Sequence, residues 1–144
     1  MTTPSARPWA IALLAWAALI FTLSSFPNPP GPRVTEPRAV AAHVVIYAVF
    51  GFLALHVIAR WRSGLSRKAL LAAWLLAVLY GISDEVHQSF VPNRHATVFD
   101  VLADAFGAAL GVSLARVQLA RAGWKSPLSR TADRPGRSPS HRAQ

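Results

Sequence analysis

The chain has 144 residues, 53% of them hydrophobic and 15% charged, with a net charge of +9 and no cysteine. So little charge, with a mean hydropathy of +0.33, argues against an ordinary soluble domain of this length. The absent cysteines exclude a disulfide framework and a thiolate metal site. The basic residues lie at the ends of apolar segments and in one tail, a pattern of orientation in a bilayer and not of a nucleic-acid-reading face.

Met1–Pro8 is a short polar start with Arg7, and Trp9–Phe26 is an almost unbroken apolar run. A span needs about 20 residues, and this run nearly supplies them. A basic start before an apolar core also describes a signal peptide, but the following Ser24–Pro30 contains no small-x-small cleavage site. A retained first helix is therefore expected. Pro27–Pro37 holds five prolines and a glycine, which do not continue a helix and place a loop outside the bilayer.

The second span is expected from about Ala39 to Trp61. Within it, His43, Tyr47 and Gly51 recur every four residues and so share a face, and Gly51 would admit a neighbouring helix closely. His56 is expected to stand alone near the membrane interface. A turn around Gly64, bracketed by Arg60, Arg62, Arg67 and Lys68, leads to the third span. Its purely apolar part, Ala69–Ile82, is too short to cross. The helix must continue through Ser83, Asp84, Glu85 and His87 to about Gln88, which puts the acidic pair in its last turns.

Val91–Ala96 is a tight connection with Pro92 and Asn93 as turn residues. The fourth span is expected over 97–116, capped by Thr97. Asp100 and Asp104 share one of its faces. Asp104 falls roughly 10 Å below the helix start at 1.5 Å per residue, deep enough to require a partner. Gly107 and Gly111 form a GxxxG pair, and Trp74 is expected to face lipid or the core. Residues 118–144 are basic and rich in Ser, Pro and Arg, and are expected to be a disordered tail.

The expected fold is all-α: a polytopic bundle of four transmembrane helices with both termini in the cytoplasm of a bacterial-type plasma membrane. In that orientation twelve of the fifteen Lys and Arg residues are cytoplasmic, leaving Arg33, Arg38 and Arg94 outside, a strong positive-inside asymmetry. The helix ends carrying Ser24 and Ser25, His43 and Tyr47, Asp84, Glu85 and Gln88, and Asp100 and Asp104 then reach the same depth on the outer side, with Arg94 in the turn. The bilayer is the first expected partner; nucleic acid is not one.

These residues carry a resemblance. Asp84-Glu85, Gln88, Phe90, Pro92 and Arg94 follow the (S/D)-E-x-x-Q-x-F-x-P-x-R pattern of the VanZ-like membrane proteins. Asp100, Gly107 and Gly111 follow that family's D-x-x-x-N-x-x-G-x-x-x-G, with Asp104 where Asn is usual. His43, Tyr47 and Gly51 match its H-x-x-x-Y-x-x-x-G, and Ser24-Ser25 before Pro27 matches the usual end of the first helix. Ala39-Val40 stand where the family often has Asp-Lys. The match runs from Trp9 to Arg116. It implies a role in cell-envelope or glycopeptide susceptibility of the teicoplanin type, and a lipid-linked cell-wall precursor or a glycopeptide as partner.

Read as chemistry, Glu85 is the candidate general acid or base, with His43 as proton partner and Asp84 beside them. Arg94 is the candidate anion clamp, and Gln88, Tyr47, Asp100, Asp104 and Ser25 complete the candidate ligand-binding set. Asp84, Asp100 and Asp104 are permissive of a divalent ion through oxygen, but no ligand spacing such as H-E-x-x-H occurs, so no metal or cofactor is assigned. The competing reading is structural: Arg94 pairs with Glu85 or Asp100, His43 and Tyr47 close the network, and the protein is a non-catalytic partner subunit. A transporter built from four spans without an internal repeat would need to oligomerise, and a homo-oligomer stays open. His87 and His95 are expected to be solvated.

Overall fold

The computed structural model describes residues 5–27, 36–94 and 96–124. Helices α1 (Arg7–Ser24), α2 (Glu36–Trp61), α3 (Arg67–Gln88) and α4 (Val98–Arg121) account for most of them, and no strand occurs among the described residues. All four are long and apolar enough to cross a membrane. The Pro-rich connection at 28–35, the basic tail from Lys125 and His95 lie outside the described residues.

Local signals set the helix boundaries. Pro8 lies in the first turn of α1, where a missing N–H costs nothing. The Ser66 hydroxyl accepts from the Ala69 N–H at the start of α3. At α4 the Thr97 hydroxyl accepts from the Asp100 N–H and donates to the Asp100 carboxylate at 2.7 Å, so the expected cap is present and reciprocal. The fourth helix runs past the expected Arg116 to Arg121. Its extra turn is held by buried Leu119, whose carbonyl accepts from the Trp124 N–H.

Small residues dominate the packing. Ala69, Ala73, Ala77 and Gly81 are buried at four-residue intervals along α3, and Ala103, Gly107, Ala108, Gly111 and Ala115 are buried along α4. Lipid tails are as apolar as leucine, so membrane helices associate by close approach and not by hiding large side chains from water. The closest approach joins α2 to α4: a Cβ on Gly107 would strike the Val44 backbone, one on Gly111 the Ala48 backbone, and one on Gly51 the Ala108 backbone. Leu14, Leu79, Phe106 and Leu114 instead point outward and are each more than half exposed. That apolar coat is far larger than a water-soluble monomer tolerates.

Aromatic donors tie the helices crosswise. Trp16 Nε1 donates to the Ile46 carbonyl at 3.0 Å, Trp74 Nε1 to the Ala105 carbonyl at 2.9 Å, and the Tyr80 hydroxyl to the Ala17 carbonyl at 2.7 Å. His56 departs from the expectation of a lone interfacial residue. It is 1% exposed, and Arg60 Nη1 reaches its Nδ1 at 3.1 Å. Arginine can only donate, so Nδ1 accepts and the Nε2–H donates to Gln118 Oε1, 2.8 Å away. The Trp9 ring covers it at 3.9 Å between centroids. Arg60 is the i+4 neighbour on α2, whereas Gln118 and Trp9 come from α4 and α1, which no local pattern around His56 announces.

Gly111→Val is expected to lower the unfolding midpoint of the purified protein in detergent by the equivalent of about 1–3 kcal/mol or more, the usual cost of overpacking. Leu114→Ala, on the outward face, is expected to stay within about 0.5 kcal/mol. Tryptophan-fluorescence melts of both variants check this.

Candidate functional site

One end of the bundle collects the end of α1, the first turns of α2, the end of α3 and the first turns of α4. Ser24, Tyr47, Asp84, Glu85, Gln88 and Asp104 converge there, each at most 6% exposed. Asp84 is bound from two helices: the Ser24 hydroxyl is 2.6 Å from Oδ1, and Gln88 Nε2 donates to Oδ2 at 3.0 Å. Glu85 Oε2 accepts from the Thr97 N–H at 3.2 Å, and its other oxygen lies 3.4 Å from Gln88 Nε2. His43 Nδ1 and Asp104 Oδ1 are 2.9 Å apart, with the imidazole 22% exposed and the carboxylate 1%.

The fold makes room for Asp104 at Gly81, one turn before Glu85 on α3. A Cβ there would lie 2.8 Å from Asp104 Oδ2 and 3.2 Å from Tyr47 Cε1. Both neighbours are left incomplete, since Asp104 Oδ2 and the Tyr47 hydroxyl are buried with no hydrogen-bond partner. Buried polar atoms without partners are rare in native structures and call for a specific explanation.

The charge balance is as uneven as the hydrogen bonding. Three carboxylates, Asp84, Glu85 and Asp104, are buried at this end, yet His43–Asp104 is the only ion pair among the described residues. Arg94 does not correct the balance. Its Nη2 reaches the Leu23 carbonyl at 3.5 Å and its Nε is buried without a partner. The expected pairing of Arg94 with Glu85 or Asp100 is therefore not formed, because the turn directs the guanidinium toward the end of α1.

Several expected members stand elsewhere. Ser25 is exposed and bonds the Phe21 carbonyl and His87 Nε2. Ser24, one position and about 100° around the helix, faces the cluster in its place. Asp100 serves the α4 cap and lines a groove with Val40, Val44 and Phe106. The acidic set Asp84, Asp100 and Asp104 is accordingly not the group whose ligand atoms meet; His43, Glu85 and Asp104 are, each with one such atom within 4.8 Å of the others. His87 is half-buried and stacks on Phe21 at 4.6 Å instead of standing free in solvent. Thr97 and Gly81 belong to the site through a backbone N–H and a missing side chain, which residue type alone does not advertise.

Four membrane-length helices closing over a carboxylate–histidine cluster at one end define a small multi-pass membrane protein with a buried polar site. The chain belongs to the VanZ/LLP1 family, whose family model matches residues 9–120. No curated protein and no solved structure matches it.

Ser24→Ala is expected to destabilise the protein by about 1–3 kcal/mol, because it leaves a buried carboxylate short of a donor. Ser25→Ala is expected to be near neutral. A double-mutant cycle of Ser24→Ala with Asp84→Asn is expected to return a coupling above about 0.5 kcal/mol, read from unfolding midpoints in detergent.

Proposed function

We propose that this VanZ-family protein displays the buried polar end toward the outside of the plasma membrane. There it binds an envelope-derived ligand, a lipid-linked cell-wall precursor or a glycopeptide, and so alters susceptibility to teicoplanin-type antibiotics. One observation carries the reading: of the four buried side-chain atoms without partners among the described residues, the Tyr47 hydroxyl, Asp104 Oδ2 and Arg94 Nε lie at or beside one cluster, and only Arg60 Nε lies at the other end. A network serving only to hold helices together satisfies its members, because a partly satisfied buried network costs more than an apolar core. Three open groups gathered at one end are what a ligand there would satisfy.

The orientation is supported by the distribution of Lys and Arg. Arg94, which pairs with no carboxylate among the described residues, is the residue for an anionic headgroup; arginine offers planar, bidentate recognition. A second reading gives the site chemistry. Glu85 and His43 lie in one cluster with Asp104, an arrangement able to take a proton from a substrate and pass it on. In that reading the protein is an enzyme acting on a lipid-linked or phosphorylated envelope substrate.

Val91, in the turn after α3, is the position for a single cysteine in this cysteine-free chain. A membrane-impermeant thiol reagent is expected to label Val91→Cys in intact cells; labelling only after lysis would reverse the orientation. Expression of the wild-type chain is expected to raise the teicoplanin concentration needed to stop growth. Glu85→Gln is expected to abolish that rise while the protein stays folded in the membrane. A Glu85→Gln chain as effective as wild type would remove the carboxylate from the function.

A further inference from the structure

We propose that His43, Glu85 and Asp104 form a binding site for one divalent first-row transition-metal ion, zinc or manganese by donor chemistry. The inference deepens the reading of the polar end as a ligand site and rests on it. The three residues come from α2, α3 and α4, so a bound ion would join the three helices that the glycine and alanine rows pack together.

Geometry is the first support. One nitrogen and two carboxylate oxygens lie within 4.8 Å of one another. Donors at about 2.0–2.2 Å from a tetrahedral zinc ion lie about 3.3–3.6 Å apart, so the longest separation must close by about 1 Å as the side chains rotate onto the ion. Asp104 Oδ2 is the second and independent support. It belongs to a side chain 1% exposed, has no partner, and is lodged over Gly81 one turn from Glu85. A carboxylate engaged by His43 through one oxygen only is free to use the other for a cation.

Charge is the third support. Buried charges are paired or coordinate a metal, because isolated ones are too costly to desolvate. Here three buried carboxylates face a single imidazole, and the Arg94 guanidinium turns to a backbone carbonyl instead. A divalent cation on neutral His43, Glu85 and Asp104 gives a locally neutral unit. It leaves Asp84 to its own donors, Ser24 and Gln88.

The surroundings fit a first coordination shell held from behind. Thr97 N–H and Gln88 fix Glu85, the kind of outer support that orients metal ligands. His43 is the partly exposed member, at 22%, and so marks the access route. One imidazole with two carboxylates favours zinc or manganese over the all-oxygen preference of calcium and magnesium. A bound cation would also turn an acidic site into a receptor for a phosphate-bearing headgroup.

The test uses the full chain, purified through a tag without histidine and reconstituted in nanodiscs. After equilibration with zinc or manganese, elemental analysis and native mass spectrometry are expected to find about one ion per wild-type chain. Glu85→Gln and Asp104→Asn are expected to weaken binding at least tenfold, with helical circular dichroism unchanged, whereas His87→Gln keeps the ion. A second measurement needs no variant: a hydrophobic carbodiimide labels Glu85 in the wild-type chain, and zinc, but not magnesium, is expected to block that labelling. Undiminished binding in folded Glu85→Gln and Asp104→Asn chains, loss of the ion in His87→Gln, or carbodiimide labelling indifferent to zinc would each overturn the site. If Glu85→Gln alters teicoplanin susceptibility while the wild-type chain holds no metal, the metal site falls and the ligand site stands. If the wild-type chain holds its ion but leaves susceptibility unchanged, the metal site stands and the envelope reading falls.

Discussion

The contact on which the rest depends is the backbone-to-backbone meeting of α2 and α4. Gly107 lies against the Val44 backbone, Gly111 against the Ala48 backbone and Gly51 against the Ala108 backbone. The two helices run in the same direction, and three contacts along one seam leave them no freedom to slide. Register follows from that. His43 meets Asp104 at one end of the seam, and His56 meets Gln118 at the other, about 20 Å further along at 1.5 Å per residue. Neither polar pair could form if a side chain held the helices apart, so residues with no chemistry of their own position those that have it.

Solvent explains why the two polar pairs have different characters. Inside a bilayer an unpaired polar group has no water to turn to. At the His56 end, arginine, imidazole and amide follow one another as donor and acceptor, with Trp9 covering the ring and only Arg60 Nε left without a partner. The His43 end gathers three carboxylates around one imidazole and leaves a hydroxyl and a carboxylate oxygen unanswered. The same fold thus contains one network with a single open donor and one with an open hydroxyl and an open carboxylate oxygen.

Most of the architecture was legible in the sequence because bilayer thickness is so strong a constraint. The continuation of α3 through Asp84 and Glu85 followed from the shortness of its apolar part, and the roles of Gly51, Gly107 and Gly111 from their spacing. What was illegible depends on rotation about a helix axis and on partners far away in the chain. Ser24 and Ser25 differ by one residue and about 100°, and only packing decides which one meets Asp84. Arg94 read as a partner for Glu85 or Asp100 because opposite charges near in sequence invite pairing, yet the turn carries it to Leu23. Gly81 gave no sign that it accommodates Asp104, since that carboxylate enters from another helix. His56 looked isolated because Gln118 and Trp9 also arrive from other helices, although its partner Arg60 stands four residues on along α2.

The measurement that tests this account most directly is made in bilayers: solid-state NMR dipolar recoupling between nitrogen-15 histidine side chains and carbon-13 aspartate carboxyl groups. Register set by the α2–α4 seam predicts a close His–Asp side-chain contact that disappears in Asp104→Asn. No such contact, or one that survives that substitution, would contradict the assembly of the site described here.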